Sequence, residues 1–440
     1  MSETNRREFL KKSAVVTAGV AAAPAIMNAG CSPNEVVNVG LIGCRNMGFN
    51  DLKSFLKNKD ANCVAMCDVD QRVLEPRAAE IEKLTGKKPI LYKDWRKLID
   101  NKDIDAVIIG TPDHWHCLMM VYASAAGKHV YVEKPIGNTI EECNIMLAAQ
   151  EKYKNVVQVG QWQRSNPHWL DAVNYIQDGK IGRVRSVRAW SYVGWKKKIV
   201  VVPDSRAPEG VDYDMWLGPA PSRPFNINRF HGTFRWFWDY AGGLMTDWGV
   251  HMLDFALFGM NRYVPKSVSA VGGKYAFPDS AMETPDTMTT LYDFGDFNII
   301  WDHTIGIYGA NYKNRPNGVA FIGEYGTLVV DRNGWEVIPE TRSTGAKKGY
   351  KGIDLKTATV TGPDPHVRNF LDCIKKGGTP NCNVEIAADV ARFAHIGNIA
   401  YRVGHKVEWN PDKQLFVNDP EADKLINANY RDPWKLPKIG

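Results

Sequence analysis

Two segments hold residue types whose spacing suits acid–base work, and a third suits a phosphate cradle. In Gly242-Gly243-Leu244-Met245-Thr246-Asp247-Trp248-Gly249-Val250-His251-Met252-Leu253-Asp254, Asp247 and His251 stand four apart and His251 and Asp254 three apart. On a helix that spacing puts all three side chains on one face, which can hold an acid–base pair. Glu133-Lys134-Pro135 follows the apolar run 129–132 and sets an ammonium beside a carboxylate. The third segment, Val39-Gly40-Leu41-Ile42-Gly43-Cys44-Arg45-Asn46-Met47-Gly48, has the strand-to-helix context of a dinucleotide fingerprint. Gly43 takes the tight turn and Gly48 the close helix–strand packing, while Arg45 stands where a bare backbone normally meets the pyrophosphate. Asp68 lies 20 residues past Gly48, where an acid hydrogen-bonds the adenosine ribose; this favours NAD over NADP.

These groups need a scaffold, and the hydrophobic pattern supplies one. Runs at 36–42, 62–67, 106–109, 129–132 and 156–160 read as buried parallel strands, with helices at 47–58, 72–84, 117–126 and 139–153 between them. Such alternation predicts an α/β fold, a doubly wound Rossmann sheet over residues 34–160. Residues 161–440 read as an α+β substrate-binding and oligomerisation domain with a mostly antiparallel open sheet. Its strands fall near 184–192, 267–275, 287–292, 298–303, 319–323 and 327–330, and its helices near 167–177, 247–258, 366–375 and 386–402. Between them the Pro-, Trp- and Arg-rich stretch 194–240 is long and irregular, as functional loops are.

Ligands of open α/β sheets bind beyond the carboxyl ends of the strands, where Thr111-Pro112-Asp113-His114-Trp115-His116 and Glu133-Lys134-Pro135 fall. With the intact E-K-P and the G-G-x-x-x-D-x-G-x-H-x-x-D segment, the chain from Val36 onward resembles the Gfo/Idh/MocA oxidoreductases, sugar and polyol dehydrogenases that include glucose–fructose oxidoreductase and inositol dehydrogenase. The resemblance implies that Lys134 hydrogen-bonds the reacting oxygen, and that Asp247 contacts the substrate or orients the histidine. Thr111, Pro112 and His116 fit the family's cofactor loop, and Glu133 belongs to the same wall.

Oxidising a secondary alcohol needs a base for the hydroxyl proton while hydride leaves for the nicotinamide. His251, an imidazole with an ordinary pKa of ~6.5, is the candidate base. A positive Lys134 favours the developing alkoxide. Trp162 stacks on a sugar face or packs in the core, and Arg164 is expected to hold the nicotinamide or substrate side. The implied activity is hydride transfer between bound NAD and a ring hydroxyl or ketone of a sugar. The alternative is a glycosidase that oxidises, eliminates, hydrates and reduces. The family's glycosidases lack the lysine of E-K-P, so Lys134 counts against that alternative. A non-catalytic sensor would not need Lys134, Asp247 and His251.

The first 30 residues read as an address. Asn5-Arg6-Arg7-Glu8-Phe9-Leu10-Lys11-Lys12 and the apolar run 14–26 resemble a twin-arginine export signal, which predicts a periplasmic protein. Ala23-Pro24-Ala25 and Met27-Asn28-Ala29 both suit a signal peptidase, whereas Ala29-Gly30-Cys31 resembles the end of a lipobox and would tether the protein through a lipidated Cys31. The 440 residues carry a net charge of +6, too weak to imply a nucleic-acid partner. The eight cysteines form no CxxC pair, and no metal-ligand spacing is present. A homo-oligomer is expected by analogy with the family.

Overall fold

Short apolar strands that must be covered on both faces decide the first half of the chain. The computed structural model describes residues 36–309, 312–342 and 346–439. In it β1 (Val37–Ile42), β2 (Ala61–Cys67), β3 (Ile90–Tyr92), β4 (Ala106–Ile109), β5 (His129–Val132) and β6 (Val157–Val159) form an all-parallel sheet in the order β3-β2-β1-β4-β5-β6. Helices α1 (Asn46–Leu56), α2 (Gln71–Thr85), α3 (Trp95–Ile99), α4 (His116–Ala125) and α5 (Ile140–Tyr153) cover it. All four β4 residues are buried, which is why that strand shows no alternation. Helix α5 starts on a capping box in which the Thr139 hydroxyl accepts from the Glu142 amide and the Glu142 carboxylate accepts from that of Thr139. Strand order reverses between β1 and β4, so a crevice opens beyond their carboxyl ends. Strand β3 and helix α3 escape the sequence pattern because β3 is a three-residue edge strand with Ile90 and Leu91 exposed.

The second half supplies the other wall. After α6 (Pro167–Gln177), β7 (Val184–Val193) enters an eight-stranded sheet with β8 (Ser267–Gly273), β9 (Thr287–Asp293), β10 (Asn298–Ile305), β11 (Asn317–Gly323), β12 (Gly326–Asp331), β13 (Gly334–Pro339) and β14 (Ile353–Thr357), ordered β14-β13-β12-β11-β7-β10-β9-β8. Every pair is antiparallel except β7 with β10. Along β10 Ile299, Trp301, His303 and Ile305 alternate inward, the pattern of a sheet covered on one face. The covering helices include α9 (Gly249–Met260) and α11 (Val384–Val403), which share its core cluster; α7 (Tyr213–Leu217) and α8 (Gly243–Asp247) lie in the long connection after β7.

The late helix α10 (Asp364–Lys376) returns to the first sheet, where Val367, Phe370, Leu371 and Ile374 join the core of Val37, Leu41 and Phe55. The Phe370 and Phe55 rings meet edge to face at 5.8 Å. The two halves therefore share one apolar core at the first sheet.

Candidate active site

The cradle is built by close backbone approach. Gly43 has φ +88°, and a Cβ there would lie 2.7 Å from the Gly110 carbonyl oxygen. A Cβ on Gly48 would lie 2.3 Å from the Gly43 oxygen, so α1 can start against β1 and β4 only with glycine present. Gly48→Ala is expected to destabilise the protein by about 1–3 kcal/mol and to release bound dinucleotide; thermal denaturation and the nicotinamide absorbance of the purified variant check this.

Arg45 is the N-cap residue of α1, with no side-chain cap bond and no acid in the first turn. The helix's first N–H groups are thus available to a pyrophosphate. Asp68 accepts from the Cys44 and Asp70 amides at 2.7 and 2.9 Å. Burial pushes its carboxyl up to about 6 against those two bonds.

Gly43, Arg45, Asn46, Met47, Asp68, Thr111, Pro112, Glu133 and Lys134 all line one cleft, together with Asp113, His231 and Arg235. The cradle, the open helix start and the acid at the end of β2 fit a dinucleotide. A second pocket adjoins the cleft and shares Met47, Glu133, Lys134, Arg235 and Asp247 with it; beyond that wall lie Trp162, Trp248, His251 and Arg332. Lys134 stands at the junction, its Nζ donating to the Asp247 carbonyl oxygen at 2.9 Å and to Oδ1 at 2.7 Å. The other Asp247 oxygen lies 3.3 Å from Arg235 Nε. Burial would raise the Asp247 carboxyl, but the Arg235 and Lys134 charges hold it well below the usual carboxylate range.

His251 departs from the ordinary imidazole expected of it. Burial, then the charges of Lys134 and Arg332, press its pKa well below the usual value, and its Nδ1 has no hydrogen-bond partner. It is therefore neutral, the form a proton acceptor needs, throughout the usual assay range. We expect kcat/KM to show no acid limb from this residue near pH ~6.5. Profiles of the wild type and His251→Gln measured in parallel check this: the two should differ in height and not in shape.

Three expectations are corrected. The helix face shared by Asp247, His251 and Asp254 does not exist, because α8 ends at Asp247 and α9 begins at Gly249. The break at Trp248 separates Asp247 from α9, where His251 lines the pocket with Asp247 while Asp254, three residues on, is buried against Arg164. Arg164, expected on the nicotinamide or substrate side, lines neither the cleft nor the adjoining pocket: its Nε and one terminal nitrogen bind Asp254 at 2.6–2.9 Å, with both side chains buried. The short 3-10 turn Trp162–Ser165 places Trp162 on the pocket and Arg164 in the core. His116 does not line the cleft either. Its Nδ1 lies 2.7 Å from the Pro135 oxygen and its Nε2 3.0 Å from that of Thr111, so it braces the cofactor loop against the E-K-P segment.

Sequence reasoning assigned no role to Trp248 or Arg332, and it named His231 and Arg235 only within the aromatic- and Arg-rich run 231–240, of a kind that sugar sites use or that packs on its own aromatics. Arg235 was visible in its aromatic run, whereas Arg332 follows β12 without any motif. Trp115 and His114 reach the Trp216 carbonyl oxygen at 3.1 and 3.2 Å, which ties the cofactor loop to the long connection. Among the described residues no group of three His, Cys, Asp or Glu is placed to hold a metal ion.

A glycine-cradled Rossmann cleft joined to a Lys-Asp-His pocket on a second α/β domain defines a dinucleotide-dependent oxidoreductase architecture. The profile of the oxidoreductase family's NAD-binding Rossmann fold matches residues 37–161, and that of its C-terminal alpha/beta domain matches 180–323 and 344–436. The chain belongs to the Gfo/Idh/MocA oxidoreductase family, and its N-terminal domain is that family's NAD-binding domain.

Among curated relatives it is 32% identical over 207 residues to an alpha-N-acetylgalactosaminidase of Shewanella oneidensis. It is 30% identical over 207 residues to glycosyl hydrolase family 109 protein 1 of Shewanella sp. (strain ANA-3). Each match covers 42% of this chain and 45% of the relative, so the chain spans under half the length of these relatives. Two solved structures share the fold. A levoglucosan dehydrogenase in complex with NADH and levoglucosan aligns at TM-score 0.63 and 21% identity over 85% of this chain and 99% of that one. The WlbA dehydrogenase of Chromobacterium violaceum, in complex with NADH and UDP-GlcNAcA, aligns at TM-score 0.64 and 19% identity over 86% and 97%.

Proposed function

We propose that the protein is an NAD-dependent dehydrogenase acting on a ring hydroxyl of a sugar or glycoside. The observation that carries this reading is the position of Lys134 on the wall common to the dinucleotide cleft and the Trp-lined pocket. Bound NAD supplies the hydride acceptor. Lys134, held by ionised Asp247, presents its remaining N–H donor to the substrate oxygen and stabilises the alkoxide. Neutral His251 takes the hydroxyl proton, so the alcohol leaves as a ketone with its hydride and proton separately accounted for. Trp162 and Trp248 offer ring faces for the apolar side of a sugar. The sugars bound by the two structural neighbours support a carbohydrate substrate.

The glycosidase names of the curated relatives favour a second reading, in which oxidation is transient and the glycosidic bond is hydrolysed. Aryl glycosides separate the two when nicotinamide absorbance and aryl alcohol release are followed together. We expect reduced nicotinamide to build up with one sugar class and no catalytic release of aryl alcohol. Steady release without net reduction would establish the hydrolase.

The proposal extends to location. Residues 1–35 lie outside the described residues, and the Arg6-Arg7 string supports twin-arginine export of a folded protein with its cofactor already loaded. A retained cofactor needs a closed redox cycle. A lipidated Cys31 would add a tether, and pairing through the open face of the eight-stranded sheet would give an oligomer.

A further inference from the structure

We propose that the sugar carries a carboxylate and that Arg332 holds it. This rests on the reading of the Trp-lined pocket as the substrate site. The pocket is lined by Lys53, Lys57, Lys134, Arg235 and Arg332 against Asp247, Asp364 and Glu133. Most of these charges are already matched: Lys57 pairs with Asp364 at 2.7 Å, and Lys134 and Arg235 share Asp247. Burial pushes the Glu133 carboxyl up to about 7, so it offers little fixed negative charge.

Arg332 is unmatched. Its guanidinium carbon lies 5.0 Å from the Trp162 ring centroid and 4.5 Å from that of Trp248, its Nε is buried without a hydrogen-bond partner, and among the described residues it forms no ion pair. Ring faces offset a positive charge, yet they leave the planar N–H donors of the guanidinium unused. Burial drags its pKa down to about 10 in spite of the attraction of Asp247, the mark of a cation short of a partner.

A planar fork takes a carboxylate through two parallel N–H bonds, a geometry also open to two oxygens of a sulfate, so a sulfated sugar separates carboxylate recognition from capture of any anion. Pairing Arg332 also removes one of the charges that oppose protonation of His251. The acidic substrate would then strengthen the base that acts on it.

Tryptophan fluorescence of the NAD-loaded protein reads binding directly, because two indoles flank the guanidinium. The probes are glucuronate, galacturonate and mannuronate, the corresponding neutral hexoses, and glucose 6-sulfate. We expect at least one uronate to bind about tenfold more tightly than its hexose and than the sulfate. Arg332→Gln should bring that ratio close to one, and Arg332→Lys should leave an intermediate ratio. Retained nicotinamide absorbance shows that both variants are folded, since Arg332 does not line the dinucleotide cleft. Equal binding of uronate and hexose, equal binding of the sulfate, no saturable binding of any uronate, or an unchanged preference in Arg332→Gln overturns the proposal. Since the readout needs no turnover, a uronate preference without hydride transfer would count against the dehydrogenase reading alone.

Discussion

Lys134→Met is expected to lower kcat for hydride transfer about a thousandfold while the dinucleotide stays bound. Lys134 lines both the dinucleotide cleft and the Trp-lined pocket, and Met keeps its length and apolar stem without the charge. The substitution removes the donor to the reacting oxygen and both hydrogen bonds to Asp247. Arg235, 3.3 Å from the other carboxylate oxygen, remains to keep Asp247 ionised, so the variant should fold. Single-turnover measurement of nicotinamide reduction, beside the absorbance of the purified variant, separates the loss of chemistry from a loss of cofactor. A variant that retains cofactor and reacts within a few-fold of wild type would remove Lys134 from the chemistry.

Arg164→Met should cost stability rather than catalysis, by about 3–5 kcal/mol, because it strands the Asp254 carboxylate in the core. Both side chains of this pair are buried, at 4% and 1% exposure, and the Asp254 oxygens have no solvent to turn to. A fall in Tm of roughly 4–6 °C corresponds to that loss. Adding Asp254→Leu should recover most of it, since an apolar pair of similar volume costs far less than one unpaired charge. Calorimetry of the single and double variants checks the prediction. If Arg164→Met kept its Tm but lost substrate affinity, Arg164 would belong to the pocket after all.

The contrast between Lys134 and Arg164 shows how far the residues themselves could be read. Contiguous features were legible: the strand, turn and helix from Val39 to Gly48, the acid at Asp68, and the E-K-P after β5 all hold their positions because local backbone geometry fixes them. The pair Asp247 and His251 was legible as a pair; the single helix expected to carry them breaks after Asp247, and Asp254 is drawn out of the site by its buried partner Arg164.

Side-chain direction was the limit elsewhere. Trp162 and Arg164 are two residues apart on one short turn, and only the buried partner Asp254 decides that the arginine faces inward. His116 fails for the same reason, being claimed by two backbone carbonyls. Arg332 could not be found from any local pattern, because its significance comes from Trp162 and Trp248, which reach it across the fold. Strands β13 and β14 were missed where short runs flank the 340–352 connection and β14 is mostly exposed.

Hydride is expected to pass from a ring carbon of a sugar to the nicotinamide of a dinucleotide whose pyrophosphate lies at the Gly43–Gly48 turn. The most direct test supplies a uniformly deuterated form of a sugar that changes the protein's nicotinamide absorbance, then releases the cofactor and weighs it. One deuterium is expected on the nicotinamide ring, and none in Lys134→Met over the same time. An unlabelled cofactor after the sugar has been consumed would contradict it.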